Sequence, residues 1–116
     1  MVMAEIFATD EFEAWFLKLS DEDGEAVVYL TRLLEQKGLA LGAPYSSALK
    51  GSRYPFRELR SKSRGRAIRV LYAYDTRRDA VLVIGGDKRG NPRFYKEIIP
   101  LAERIWKQYL AEQAKK

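Results

Sequence analysis

Between Phe56 and Gly86 the chain offers three strand candidates, Phe56–Ser61, Arg66–Asp75 and Ala80–Gly86, separated only by turn-length segments. Parallel neighbours need a crossover of about a dozen residues or more, so SKSRG and TRRD make these strands antiparallel partners. In the middle candidate Ile68, Val70, Tyr72 and Tyr74 share one face, and Arg69, Leu71 and Ala73 share the other. Either Phe56, Glu58 and Arg60 or Arg57, Leu59 and Ser61 join Arg69 on its side. A one-residue slip in register exchanges the two sets.

Helical signals flank this sheet. Glu5–Thr9 reads as a short first strand. Asp10, with Glu13 three residues on, predicts a helix start, and Phe12, Trp15, Phe16 and Leu19 then form one apolar stripe. Ser20 with Asp23 starts a second helix, striped by Ala26, Val27, Leu30, Leu33 and Leu34 and ended by Gly38. Such stripes belong to packing. Residues 39–55, with Gly42, Pro44, Gly51 and Pro55, read as loop. From Ile98 to Lys116 the apolar positions return to a helical period, with Asn91-Pro92 as a start signal; Pro100 either kinks this helix or opens a second one. The order β-α-α-β-β-β-α predicts a single α+β domain over residues 1–116, with helices against one face of a mostly antiparallel sheet. A chain of 116 residues has room for one core.

Charge is unevenly spread. Residues 1–49 carry a net −6, residues 50–96 a net +10 and residues 97–116 a net +1. The basic middle points to a polyanion partner, although a solvated basic face would give the same count. The stretch Phe56–Tyr74 alone holds Arg57, Arg60, Lys62, Arg64, Arg66 and Arg69 against one acid, Glu58. With no cysteine and no histidine, thiolate catalysis, disulfides and the commonest metal ligand are excluded, so neither metal nor cofactor is expected. The start does not read as a signal peptide and no stretch has the roughly 18 apolar residues of a membrane span, so a cytoplasmic location is expected, with no membrane partner.

If helices cover one face, the other face of the sheet is left to residues such as Arg69. The third strand runs into GGDKRGNPRFY, which adds Lys88, Arg89, Arg93 and Tyr95. Its glycine spacing is not that of a phosphate-binding loop. Cations beside aromatic rings suit RNA, whose phosphates need charge and whose unstacked bases need flat partners. Arg57, Lys62, Arg64, Arg66, Arg89 and Arg93 are the candidate RNA-binding cations. Bland alternatives exist for several of these residues. Arg60 and Glu58 can serve only in cross-strand ion pairs, and Tyr95 can be a core aromatic of the last helix.

The segments LKGSRYPFRELR, RAIRVLYAY, LVIGGDKRG and PLAERIWKQYL, in that order, resemble the HigB-like branch of the RelE/ParE toxin superfamily. The preceding β-α-α order fits, so the resemblance covers nearly the whole domain. It implies the toxin of a type II toxin–antitoxin system: a metal-independent, ribosome-dependent mRNA endoribonuclease neutralised by a helix-turn-helix antitoxin in a hetero-oligomer. It also implies a catalytic set of Arg60, Arg69, Lys88 and Tyr95. Metal-free RNA cleavage must deprotonate the 2′-OH, stabilise a dianionic phosphorane and protonate the departing 5′-oxygen. The two arginines suit the phosphorane. Tyr95 or Lys88 suits the proton, if neighbouring cations lower its pKa. Several members use histidine there, and this chain has none. The alternatives are a gyrase-binding ParE-like toxin without nuclease activity, or a non-catalytic RNA-binding accessory domain.

Overall fold

In the computed structural model, residues 5–63 and 65–116 are described, the side chains of Lys62 and Ser63 excepted. The order is β1 (Ile6–Ala8), α1 (Asp10–Leu17), α2 (Asp21–Lys37), β2 (Ser46–Ala48), β3 (Arg57–Ser63), β4 (Arg66–Tyr74), β5 (Ala80–Asp87) and α3 (Phe94–Ala114). This is an α+β domain. The sheet order is β1-β5-β4-β3-β2, with β1 parallel to β5 and the other pairs antiparallel. Among the described residues no helix is long and apolar enough to cross a membrane.

The cap of α1 lies one residue earlier than expected. Thr9 rather than Asp10 accepts the Phe12 N–H, because its hydroxyl is also anchored to the Val83 carbonyl at 2.7 Å. Ser20 caps α2 and Gly38, at φ 54°, ends it, both as the sequence predicts. The loop expected over residues 39–55 contains the edge strand β2, which pairs Ser46 with Leu59 and Ala48 with Arg57. The last helix starts at Phe94 and continues past Pro100 without a break, so no second helix opens there; Pro100 is exposed and lacks the N–H that would reach the Lys96 carbonyl.

The expectation of one open sheet face is overturned. Consecutive residues Val70, Leu71, Tyr72 and Ala73 are all buried, as are Ala80 to Ile84. Only cover on both faces does that. Val70, Tyr72 and Leu82 pack with Phe12, Val27, Leu30 and Leu34 of α1 and α2. Leu71, Ala73, Val81 and Val83 pack with Phe94, Ile98, Ala102, Ile105 and Trp106 of α3. Gly85 and Gly86 let both layers close in. A Cβ on Gly85 would stand 2.3 Å from the Trp15 indole, and one on Gly86 would stand 2.8 Å from the Phe94 ring. The glycines thus admit aromatic rings of the protein itself.

Candidate functional site

Register settles the choice that sequence left open. Arg60 pairs with Arg69 and Glu58 with Leu71, so Glu58, Arg60 and Arg69 share the face covered by α3. Two arginines directly opposite one another repel. The Glu58 carboxylate relieves this, with its Oε1 at 3.1 Å from Arg69 Nε and 3.9 Å from Arg60 Nε. Helix α3 then brings Tyr95 to the same atom, its hydroxyl donating to Glu58 Oε1 at 2.9 Å.

Burial divides these groups. The side chains of Glu58 and Arg69 are each 5% exposed, whereas that of Arg60 is 43% exposed. Arg69 Nη1 also donates to the carbonyls of Ile68 (3.0 Å) and Ser61 (3.3 Å). Its contact with Glu58 is an ion pair without good hydrogen-bond alignment. Burial raises the Tyr95 pKa, the Glu58 hydrogen bond and charge raise it further, and Arg69 opposes them only in part. This runs against the expectation that nearby cations lower it: the Tyr95 phenol is held in its protonated form, its hydroxyl donating to Glu58.

A cleft of ≈ 390 Å³ opens here, lined by Ser47, Leu49, Lys50, Glu58, Arg60 and Tyr95. Arg69 does not line it. The segment carrying Lys50 is fastened to α3 by Glu103, whose Oε2 accepts from the Ser52 hydroxyl (2.8 Å) and the Arg53 N–H (3.0 Å). The other side of Tyr95 borders a second cleft of ≈ 460 Å³, formed with Lys88, Gly90, Asn91, Pro92 and Phe94. Lys88 Nζ stands 5.4 Å from the Tyr95 ring centroid. All four candidate catalytic residues therefore meet around Tyr95.

The six candidate RNA-binding cations divide. Arg57 points to the opposite face, its Nε donating to Ser46 Oγ (3.1 Å) and the Tyr72 hydroxyl (3.3 Å). Arg66 is engaged by Asp23 and Asp87. Arg89 and Arg93 are exposed in the segment around and after Lys88. Arg64 and the side chain of Lys62 lie outside the described residues. Sequence reasoning did not place Glu58 or Lys50 among the site residues. The signal for Glu58 was available, since it is the lone acid among six cations in Phe56–Tyr74.

The family described as "Phage derived protein Gp49-like (DUF891)" matches residues 14–107, a span that contains every residue around Tyr95. The chain is 35% identical over 106 residues to the Mycobacterium tuberculosis protein named "Putative toxin HigB2", covering 89% of this chain and 53% of that protein. It is 36% identical over 105 residues to "Putative toxin HigB3" of the same organism, covering 89% and 90% respectively. The chain thus spans about half of the first relative and most of the second.

Proposed function

This chain belongs to the Gp49-like (DUF891) family of phage-derived proteins, and on that premise we propose that it is the toxin of a type II toxin–antitoxin pair, a metal-independent endoribonuclease cutting mRNA on the ribosome and held inactive by a cognate helix-turn-helix antitoxin. The observation that carries this reading is the Glu58 carboxylate oxygen, met by the Tyr95 phenol and two guanidinium groups at the edge of a cation-rimmed cleft. The names of its relatives support the toxin role.

The chemistry follows from the contacts. Glu58 accepts the 2′-OH proton, the 2′-oxygen bonds to phosphorus, and the bond from phosphorus to the 5′-oxygen breaks as Tyr95 protonates that oxygen. The products are a 2′,3′-cyclic phosphate and a 5′-hydroxyl. The hydrogen bond between Glu58 and Tyr95 then returns the proton to the phenol and resets the pair. Arg60, half open to the cleft, and Lys50 stabilise the phosphorane, while Arg69 fixes Glu58 from behind. Lys88 holds the Tyr95 ring and adds positive charge on its far side. A cleft this shallow grips little RNA by itself, so a second surface must complete it, which supports action on the ribosome.

Induced expression followed by mapping of mRNA 5′ ends is the test. Cuts inside codons, with 5′-hydroxyl ends and lost in Glu58→Gln, are expected. DNA damage without such cuts would instead favour the gyrase-binding alternative, and neither effect would favour a non-catalytic RNA-binding domain.

A further inference from the structure

Arg66 opens β4 and stands between two acids from different parts of the chain. Its Nη1 is 3.1 Å from Asp23 Oδ2, and its Nε is 2.9 Å from Asp87 Oδ2. Asp23 lies in the first turn of α2 with its side chain 3% exposed, and its Oδ2 makes no aligned hydrogen bond. A carboxylate so buried requires a cation, and Arg66 is placed to supply it. The other oxygen of Asp87 accepts the N–H groups of Ala67 (3.1 Å) and Arg89 (3.0 Å), and Lys88 N–H donates to the Ala67 carbonyl at 3.0 Å. Burial would raise the Asp87 carboxyl, yet the hydrogen bonds from Arg89, Arg66 and Ala67 bring it below its ordinary value. The carboxylate is therefore kept charged, as a staple must be.

We infer that Arg66 is a positioning residue, a brace from the start of α2 to the turn that carries Lys88. The inference rests on the nuclease reading for its effect on rate, though not for the brace itself. Two carboxylates against one guanidinium leave the group net negative, which disfavours Arg66 as a phosphate contact. From Asp87 the chain of contacts continues through Lys88, over the Tyr95 ring, to Glu58. The Arg89 guanidinium lies beside Gly65, where an added Cβ would stand 3.2 Å from Nη1, so the turn also leans on the β3–β4 hairpin. Lysine cannot replace the fork: Nε and Nη1 point to different acids at fixed geometry, whereas an ammonium is a single point charge.

The test compares Arg66→Gln, Arg66→Lys, Lys88→Ala and the Arg66→Gln/Lys88→Ala pair in ribosome-programmed mRNA cleavage. Both Arg66 variants should lose about tenfold or more in kcat with KM within about twofold, and the pair should be no slower than Lys88→Ala alone. A raised KM that Arg66→Lys restores, with kcat unchanged, overturns the brace and makes Arg66 a phosphate contact. If the wild type cuts no mRNA, the nuclease reading fails, and amide hydrogen exchange tests the brace independently. The Ala67, Lys88 and Arg89 amides should then exchange about tenfold faster in Arg66→Gln while those of Leu71 and Val83 stay protected. Unchanged exchange at the three turn amides overturns it. Should Arg66→Gln fail to fold, Asp23→Asn/Arg66→Gln removes the stranded charge and is read against the same outcomes.

Discussion

Arg69 Nε stands 3.1 Å from Glu58 Oε1, and each of the two side chains is 5% exposed. Removing one member of such a pair strands the other charge in the interior. Arg69→Ala should therefore lose about 3–5 kcal/mol of stability, far more than an exposed strand cation would. Glu58→Gln leaves Arg69 its two carbonyl acceptors and should lose about 1–3 kcal/mol. Urea denaturation at unchanged m value reads both. Loss of toxicity in Arg69→Ala would then report on folding before chemistry.

Tyr95→Phe separates the two. It keeps the ring beneath Lys88 and deletes only the hydroxyl, so the domain should fold and cleavage should fall about a hundredfold or more. The phenol pKa is raised, first by burial and then by Glu58. The acid form that the proposed reaction requires thus persists above the ordinary value of about 10. The wild-type pH–rate profile should show no loss from Tyr95 ionisation up to there. The linked stability is complete below that ordinary value and is lost as pH rises through the higher folded one.

Glu103 fastens the Lys50 segment to α3 and is exposed enough that its loss should spare the fold. Glu103→Ala should raise KM for cleavage about fivefold, with little change in Tm. Hydrogen bonds from the Arg53 N–H and the Ser52 hydroxyl lower the Glu103 carboxyl. The clamp is accordingly at full strength above the ordinary carboxylate range and is lost as pH falls through the lowered value. Acid titration of the segment's amide signals in wild type and Glu103→Ala checks this.

Asp21, Glu22 and Glu25 are exposed on α2, away from the clefts, and Val28 and Tyr29 add apolar area on the same helix. If the antitoxin blocks ribosome entry by bulk, this is the surface it would use. Charge reversal at the three acids should weaken the complex about tenfold or more in calorimetry and leave cleavage intact. Complexes broken instead by neutralising Arg60 and Lys88 would show that the partner caps the site.

Helices α1 and α2 and the antiparallel strands are legible because stripes, caps and short turns are local signals. Strand β2 is not, since Ser46-Ser47-Ala48 has no apolar alternation and forms only against Leu59, Glu58 and Arg57. The covered second face also has a signal in the sequence. RVLYAY and AVLVIGG are almost continuously apolar, the mark of strands buried on both sides. Arg60, Arg69, Lys88 and Tyr95 were named from sequence, yet their convergence depends on register and on the placement of α3. Glu58 acquires its position only through that register. Sequence makes Arg66 a candidate RNA-binding cation because it does not show that Asp23 and Asp87 flank it.

The Trp15 indole lies where a methyl group on Gly85 would have to go. Alanine there would cost about 1–3 kcal/mol of overpacking, a sizeable part of the roughly 5–15 kcal/mol that holds a domain together. Neither Gly85 nor Trp15 lines the clefts at Tyr95. Gly85→Ala should thus behave as a temperature-conditional allele, arresting growth in the cold and harmless in the warm, with a Tm about 4 °C lower per kcal/mol lost. Under the proposed toxin role, a chain carrying it could be propagated without an antitoxin and switched on by cooling alone.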